Sequence, residues 1–425
     1  MADVVDNFIV IHNKFVVIHN SAAFAIDNLF RLAIAFAVSS RLRGLGAAMR
    51  NAMIATGFAT LAALAVPAHA DVHIGVLMPT SGFAAGFGIE EQGSIDLFMK
   101  EYSDLGPAGK LKLTIYDTRG EPAQAISLTK KLIDGDKVTA IIGPYLSGES
   151  EAAFPVANRA ATPIVTPSSA KPGIAAANRP WAFRFSSTTD KTDKEFIAHW
   201  LKKQATPIKN VVVFYDGKDA VSSSDGKAVM PAALKAANVN VLDSISFQTG
   251  DLDFSAQVTR AKALKPDGVV VTALFTEAGH LVAELRKQGM NQPVAAGVEL
   301  SLDHKFIEIA GKASEGVLTA AEFNRDNPKP AVVQFVKDYE ASTHHLPGNS
   351  SALMYDTLFL MRHCIMSTGV TGNSDADKVK IRDCWANMNG VEAPIAGPVM
   401  INKDGDGVRQ PNFLVVRDGK FVVDN

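Results

Sequence analysis

From residue 71 to residue 321, short apolar runs rich in β-branched residues alternate with longer segments whose apolar residues recur at helical spacing. Strands that alternate with helices in this way pack as a parallel sheet with helices on both faces. The first set of strands is predicted at residues 72–77, 111–117, 138–142 and 164–166. The pattern restarts after residue 183, with strands predicted at 211–215, 241–247, 268–273 and near 294. We therefore predict an α/β fold with two doubly wound parallel-sheet lobes.

The length of 425 residues also favours two lobes, because a single hydrophobic core stops growing at about 250–300 residues. After the last of these strands, three helical segments are predicted at 330–342, 351–367 and 376–387. The chain then ends in β-hairpins over residues 397–402, 412–417 and 420–423, with Asp-Gly sequences at the turns. Open parallel sheets bind ligands at the carboxyl ends of their strands, so facing lobes are expected to share one cleft.

The N-terminal region is typical of an exported protein. Residues 49–70 contain a charged start, an apolar run and the small-x-small sequence Ala68-His69-Ala70, which predict a signal peptide and a mature chain from Asp71. Residues 1–48 have no clear role, and either a mis-set start codon, which we favour, or a genuine extension accounts for them. The apolar patch at 29–38 is too short to span a bilayer. We therefore expect an exported, periplasmic protein.

The sequence lacks the motifs and charge patterns of several classes of function. The formal net charge is -2 and no basic stripe is present, which argues against a nucleic acid partner. We find no G-x-S-x-G elbow, phosphate loop or H-E-x-x-H motif, so neither an enzyme nor a cofactor is expected. No metal site is predicted either. Asp404 and Asp406 fit a hairpin turn better than a calcium loop, and His344 and His345 are expected to be solvated.

The two cysteines, Cys364 and Cys384, lie in two helical segments separated by a turn at residues 369–373. Antiparallel packing of these helices would allow a disulfide bond in an oxidising compartment. Sequence spacing does not test the geometry that a disulfide requires. A disulfide bond and two separate buried thiols both remain open.

Residues 141–150 run from an apolar strand through a Gly-Pro turn into a predicted helix that starts at Ser147. The first turn of a helix has unpaired backbone N–H groups and the positive end of the helix dipole, which together favour an anion. A second strand followed by a loop rich in hydroxyl groups comes at residues 162–170. The two strand ends predict a seat for a small anion at one crevice, although Ser147 would also suit a helix cap.

The region from residue 71 to the C-terminus resembles the solute-binding proteins of ABC importers, in particular the branched-chain amino acid (leucine/isoleucine/valine-binding) family with the type I periplasmic-binding fold. The resemblance is carried by the order and spacing of short motifs, which include Ile74-Gly75-Val76, Gly86-Phe87-Gly88, Tyr116-Asp117-Thr118, Ile142-Gly143-Pro144, residues 163–167, Phe183-Arg184, Asp253-Phe254-Ser255, residues 285–289 and Gly397-Pro398. It implies a monomeric Venus-flytrap protein that closes on a small ligand and docks on permease subunits.

The same resemblance implies three crossovers between the lobes, near residues 184–187, 321–324 and 394–397. Lobe one would comprise residues 71–186 and 324–395. Lobe two would comprise residues 187–323 and 396–425.

Ligand-binding residues follow from the resemblance position by position. Ser147, with Gly148 beside it, corresponds to the residue that holds a ligand carboxylate, and Phe87 corresponds to an aromatic wall of the pocket. Glu299 corresponds to the acid that meets a ligand ammonium, although an ordinary surface position is its rival interpretation. The loop that supplies backbone groups to the ligand matches Ser168, Ser169 and Ala170.

Three positions depart from the usual pattern of the family. Ala170 replaces a threonine, Val221 and Ser222 stand where a tyrosine is common, and Leu274 and Phe275 replace another tyrosine. Loss of these hydroxyl groups makes the expected pocket more apolar. The ligand is therefore predicted to be an amino acid, with aromatic or other organic acids and amides as alternatives. A ligand-sensing receptor of the same fold is the alternative class of function.

Overall fold

The computed structural model describes residues 8–11, 14–17 and 71–424, except residues 301 and 373. The chain divides into two units, Met1–His69 and Ala70–Asn425, which are described separately. In the first unit, strands β1 (Phe8–Ile11) and β2 (Lys14–Val17) pair antiparallel. The predicted signal peptide lies outside the described residues. Among the helices of the described part, none has the length and apolar character to cross a membrane.

Strands of the second unit form two main sheets. The first sheet has the order β4-β3-β5-β6-β7, and all of its neighbours are parallel. Its strands are β3 (Val72–Met78), β4 (Leu111–Asp117), β5 (Ala140–Ile142), β6 (Ile164–Thr166) and β7 (Ala182–Arg184). We call the sheet and the helices packed on it the first lobe.

The second sheet has the order β16-β15-β12-β11-β10-β8-β9. Its strands are β8 (Asn210–Asp216), β9 (Asn240–Phe247), β10 (Gly268–Thr272), β11 (Val294–Ala296), β12 (Leu318–Ala321), β15 (Asn412–Arg417) and β16 (Lys420–Val423). The strands from β8 to β12 are parallel, whereas β15 runs antiparallel to β12 and to β16. The C-terminal hairpin thus extends the sheet of the second lobe. A short pair, β13 (Met400–Ile401) and β14 (Gly407–Val408), stands apart from both sheets.

Helices cover both faces of each sheet. They are α1 (Ala85–Tyr102), α2 (Pro122–Lys130), α3 (Ser147–Arg159), α4 (Thr189–Lys202), α5 (Ala220–Ser224), α6 (Met230–Ala236), α7 (Ser255–Ala263), α8 (Phe275–Lys287), α9 (His304–Ala310), α10 (Pro330–Thr343), α11 (Asn349–Thr368) and α12 (Asp375–Ala386). The central strand β10 is buried along its whole length, as expected for a parallel strand covered on both sides. The prediction of two α/β lobes is confirmed.

The helical segment that ends with α6 begins with α5. Its first turn starts at Ala220, where the Asp219 carboxylate accepts the backbone N–H of Ser222 as an N-cap. A five-residue π-helical segment, residues 225–229, joins this turn to α6. Ser222 therefore belongs to the first turn of this helical segment.

Within residues 71–424 the chain passes three times between the two sheets, through residues 185–188, 322–329 and 387–411. The predicted lobe boundaries near the first two passages remain predictions. The third boundary, predicted at 395, also remains a prediction. Val399 and Ile401 pack in the same hydrophobic cluster as β3 and α11 of the first lobe. This packing favours a boundary beyond residue 401.

Two buried arginines hydrogen-bond to residues in these connections. Arg184 donates to Asp406 at 3.1 Å, to the carbonyl of Lys171 at 2.9 Å and also to the carbonyl of Ser169. Arg409 donates from Nε to the carbonyl of Phe185 at 2.9 Å and from Nη1 to the carbonyl of Gly397 at 2.9 Å.

A disulfide bond joins Cys364 of α11 to Cys384 of α12. The Cα atoms are 5.8 Å apart, within the range that disulfides require. The bond ties the two helices together in the first lobe, next to the hydrophobic cluster that contains Cys364.

Candidate ligand-binding site between the two lobes

A cavity lies between the lobes at the carboxyl ends of both sheets. The empty space between its lining atoms is about 600 Å³, with its mouth included, which is within the size range of small-molecule sites. The lining consists of Phe87, Tyr145, Leu146, Ser147, Ser168, Ser169, Ala170, Ser186, Ser187, Thr192, Val221, Leu274, Val298, Glu299, Ala321, Glu322, Asn349 and Leu353.

Most of the residues selected from the sequence border this cavity. Those in the lining are Phe87, Ser147, Ser168, Ser169, Ala170, Leu274 and Glu299. Gly148, Ser222 and Phe275 do not line it. A Cβ atom on Gly148 would lie 3.3 Å from the Cβ of Ala220, so this glycine packs against the second lobe.

Ser147 is the first residue of α3, and its side chain is almost fully buried. The capping position is Leu146, which provides no side-chain hydrogen bond, so Ser147 is not the helix cap. The Ser147 hydroxyl accepts the backbone N–H of Lys171 at 3.2 Å, which leaves its proton available for a further acceptor. The amide of Ser150 makes the first bond of the helix, to the carbonyl of Leu146, so the amides before it lack intrahelical partners. This is the arrangement that binds a carboxylate.

The hydroxyl of Ser169 makes its hydrogen bonds within the protein. It donates to the carbonyl of Tyr145 at 2.8 Å and lies 2.6 Å from the hydroxyl of Ser150. Thr166 donates to the carbonyl of Pro144 at 2.7 Å and adds to this network. These bonds hold the loop after β6 against the loop before α3. The two strand ends predicted to share a crevice are thus joined directly.

Aromatic rings from both lobes meet beside the cavity. The ring of Phe87 stacks on that of Tyr145 with centroids 4.7 Å apart. It meets the ring of Phe275 edge to face at 5.0 Å. Phe275 therefore lies behind Phe87 and not in the cavity wall. This contact between the lobes shows that the cleft is closed in the structure.

Glu299 lies on the opposite wall and is only 4% exposed, so its interpretation as a surface acid is wrong. Asp225 and Asp193 are buried with it, and the Asp225 carboxyl faces those of both Asp193 and Glu299. Burial, followed by the charge of Asp225, raises the pKa of Glu299 well above its usual value. Burial and the charge of Asp193 raise the pKa of Asp225 in the same way. Burial raises the pKa of Asp193 to about 8.

Gly297 makes room for this acidic group. A Cβ atom at that position would lie 2.1 Å from Oε2 of Glu299 and 3.5 Å from Oδ2 of Asp225. A side chain at position 297 would therefore displace the Glu299 carboxyl, whereas Asp225 would be at ordinary contact distance. Because no cationic side chain of the described residues forms an ion pair with them, they hold protons or meet a cation supplied by a ligand.

Sequence reasoning missed the residues that the connections between the lobes contribute. Ser186 and Ser187 follow β7, and Glu322 follows β12. The Ser187 amide donates to Oε1 of Glu322 at 2.5 Å, and Oε2 of Glu322 lies 3.4 Å from Nε of Arg409. The run of hydroxyl residues at 186–189, immediately after a strand, was the available signal, since the first connection was already predicted there.

The fold and the cavity define a two-lobed ligand-binding protein. The profile of the periplasmic binding protein family matches residues 71–420, and the chain belongs to this family of solute-binding proteins. The resemblance inferred from the sequence is confirmed.

Relatives span nearly the whole chain. Leu/Ile/Val-binding protein homolog 3 of Brucella melitensis is 26% identical over 374 residues, which cover 86% of this chain and 96% of that protein. The Leu/Ile/Val-binding protein BraC3 of Rhizobium johnstonii is 26% identical and covers 87% of this chain and 98% of its own.

Solved structures share the fold. The crystal structure of a leucine-binding protein from Thermotoga maritima superposes with a TM-score of 0.76 at 26% identity, over 83% of this chain and 98% of that one. A solute-binding protein of an ABC transporter from R. palustris, in complex with benzoate, superposes with a TM-score of 0.75 at 21% identity, over 83% and 95% of the two chains.

Proposed function

We propose that this protein is the exported solute-binding component of an ABC importer. It captures a small carboxylate-bearing ligand, a branched-chain or other amino acid, in the cleft and delivers it to permease subunits. Its place of action is the periplasm, and its functional unit is a monomer. Ligand binding and closure of the lobes are its output, since a ligand that contacts both lobes shifts the protein towards the closed arrangement.

One observation carries this proposal: the two walls of the cavity have opposite chemistry. On the first lobe, Ser147 and the start of α3 offer donors to a carboxylate. On the second lobe, Glu299 offers a buried acid that forms no ion pair with a cationic side chain of the described residues. An amino acid can present its carboxylate to the donors of the first lobe and its ammonium to Glu299 at the same time. The relatives named for leucine, isoleucine and valine support this ligand class.

An aromatic or other organic acid is the second candidate, and the composition of the cavity wall favours it. Ala170, Val221 and Leu274 border the cavity and provide only apolar surface. With such a ligand, Glu299 would stay protonated, as its raised pKa permits. The two candidates share the carboxylate seat at Ser147 and differ at the opposite wall.

A thermal-shift panel distinguishes these ligand classes. The chain from Asp71 would be tested with amino acids, benzoates and short amides. A ligand present at 100 times its Kd adds about 2.7 kcal/mol to the free energy of unfolding and so raises the melting temperature. The expected result is a response to a branched-chain amino acid. A response to benzoates alone would select the second candidate, and no response to any carboxylate would contradict both.

A further inference from the structure

A second group of potential ligand atoms lies outside the cavity, one helical turn along α1 from Phe87. It comprises Glu90 of α1, Asp303 and His304 at the start of α9. One ligand atom from each of these residues lies within 4.8 Å of the other two. Glu90 belongs to the first lobe, whereas Asp303 and His304 follow β11 of the second. The group therefore spans the boundary between the lobes.

Both carboxyl groups are deeply buried, and that of Glu90 is incompletely paired. Glu90 is 7% exposed and Asp303 is 2% exposed. The Ser350 hydroxyl donates to Oε2 of Glu90, but Oε1 has no hydrogen-bond partner among the described residues. The same holds for Nδ1 of His304, which lies 3.6 Å from Oδ1 of Asp303. An unpaired buried carboxylate is costly, so this group is suited to a cation.

The backbone around Glu90 leaves space for this carboxylate. A Cβ atom on Gly348 would lie 2.6 Å from each oxygen of Glu90, so a larger residue there would displace this carboxyl. Lys305 and Arg325 add positive charge in the surroundings. However, no lysine or arginine side chain in the described part of the chain forms an ion pair with Glu90 or Asp303, and the Asp303 carboxylate accepts the backbone N–H of Lys305 at 2.9 Å as the cap of α9. The nearest basic group is the imidazole of His304 itself.

We propose that Glu90, Asp303 and His304 form a binding site for a divalent transition-metal ion of the zinc type, which links the two lobes. A mixed set of imidazole nitrogen and carboxylate oxygens suits Zn²⁺, whereas Mg²⁺ and Ca²⁺ prefer oxygen ligands alone. Tetrahedral ligands at about 2.1 Å from zinc are roughly 3.4 Å apart, so side-chain rotations of about 1 Å bring the three together. His304 is half-exposed, which leaves the fourth position open to water.

The position of the site gives the ion a role beyond ligand capture. Because its ligands come from both lobes, the ion binds the closed arrangement more tightly than an open one. Any solute that also favours closure then binds more tightly when the ion is present, and the effect is reciprocal. The ion thus acts as a latch beside the cleft.

Isothermal titration of the metal-free chain from Asp71 with ZnCl₂ tests the site. The expected result is one Zn²⁺ bound per chain, with Glu90→Gln and His304→Gln each weakening binding at least tenfold. His363→Gln, which changes an exposed histidine on α11, provides the matched control and is expected to bind as the unaltered protein does. His304→Gln alters a half-exposed side chain and is therefore the variant least able to disturb folding, which circular dichroism verifies.

The two substitutions separate a bridging site from a local one. If zinc binding survives His304→Gln, or if the unaltered chain binds no zinc, the proposal is overturned. If His304→Gln abolishes binding while a folded Glu90→Gln variant retains it, the second lobe alone holds the ion. The proposal that the ion links the two lobes is then wrong. Co²⁺ in place of Zn²⁺ adds an independent check, because its visible absorption becomes intense when it is bound in a tetrahedral site.

Discussion

The ring of Phe87 in the first lobe meets the ring of Phe275 in the second edge to face, with centroids 5.0 Å apart and planes at 82°. The contact exists only when the cleft is closed, so it stabilises the closed arrangement selectively. A pair of this type contributes about 0.5–1.5 kcal/mol beyond its buried area.

Phe275→Leu is therefore expected to weaken ligand affinity by about 2- to 10-fold, since closure loses this contact. Calorimetric titration with the ligand found by the thermal-shift panel measures the change. Phe413→Leu is the matched control, because Phe413 stacks on Phe196 within the second lobe, at 6.4 Å. Equal losses in both variants would indicate a general loss of stability, not a role in closure.

Ser147→Ala is expected to reduce affinity about 10- to 100-fold, because a hydrogen bond to a charged group contributes roughly 1.5–3 kcal/mol. The helix itself should be unaffected, as Ser147 is not its cap. The control is Ser127→Ala, which removes the hydroxyl of an exposed helical serine that donates to the carbonyl of Ala123. Unchanged affinity in Ser147→Ala would mean that the ligand carboxylate lies elsewhere.

Glu299 distinguishes an amino acid from a simple acid through pH. Burial raises the pKa of Glu299, so the carboxyl is protonated in the closed protein without a cation. A ligand ammonium favours the carboxylate and displaces that proton, so affinity rises with pH until the raised pKa is passed. Titrations in buffers of different ionisation enthalpy measure the proton release. Glu299→Gln should remove both the release and the pH dependence, while the affinity of benzoate would be nearly unchanged.

Asp193 is expected to make the protein less stable as pH rises. The pKa of this carboxyl is 3.8 in its ordinary state and about 8 when folded, because of burial. Below pH 4 both states are protonated and nothing is lost. Between pH 4 and pH 8 the unfolded chain releases the proton while the folded chain retains it, so the free energy of unfolding falls, by at most about 1.4 kcal/mol per pH unit.

Urea denaturation at pH 5, 6.5 and 8 measures this slope. Asp193→Asn keeps the shape of the side chain and removes the titration, so its slope should be shallower and its stability at pH 8 greater than that of the unaltered protein. An identical slope in both proteins would show that Asp193 is ionised in the folded state.

The disulfide bond between Cys364 and Cys384 closes a loop with a sequence separation of 20. Loop-closure entropy predicts that its loss lowers the free energy of unfolding by roughly 3 kcal/mol. Thermal unfolding of a Cys364→Ala, Cys384→Ala double variant, with and without reductant, tests this. Reductant should lower the stability of the unaltered protein and leave that of the variant unchanged.

The fold was predictable because its signals are local. Strands such as β8 and β10 contain continuous runs of valine, and the Gly-Pro turn before Ser147 marks the start of α3. The acidic group around Glu299 was not predictable, since Asp193, Asp225 and Glu299 come from separate segments that only the tertiary fold brings together. Their burial together has no signature in the sequence.

Two site residues were misplaced for a different reason. A helix that starts at Ala220 turns Ser222 towards Asp219, whose carboxylate accepts the serine hydroxyl at 2.7 Å. Phe275 begins α8, and its ring packs on Phe87 instead of facing the ligand space. In both cases the position along the chain was near the cavity, but the direction of the side chain depended on where the helix began.

Arg409 touches all three connections between the lobes: the carbonyl of Phe185 in the first, the carboxylate of Glu322 in the second and the carbonyl of Gly397 in the third. Movement of any one connection therefore disturbs bonds to the other two. We therefore expect the three connections to move together when the cleft opens. A substitution at this position is accordingly expected to alter the opening of the cleft and the placement of Glu322, which lines it.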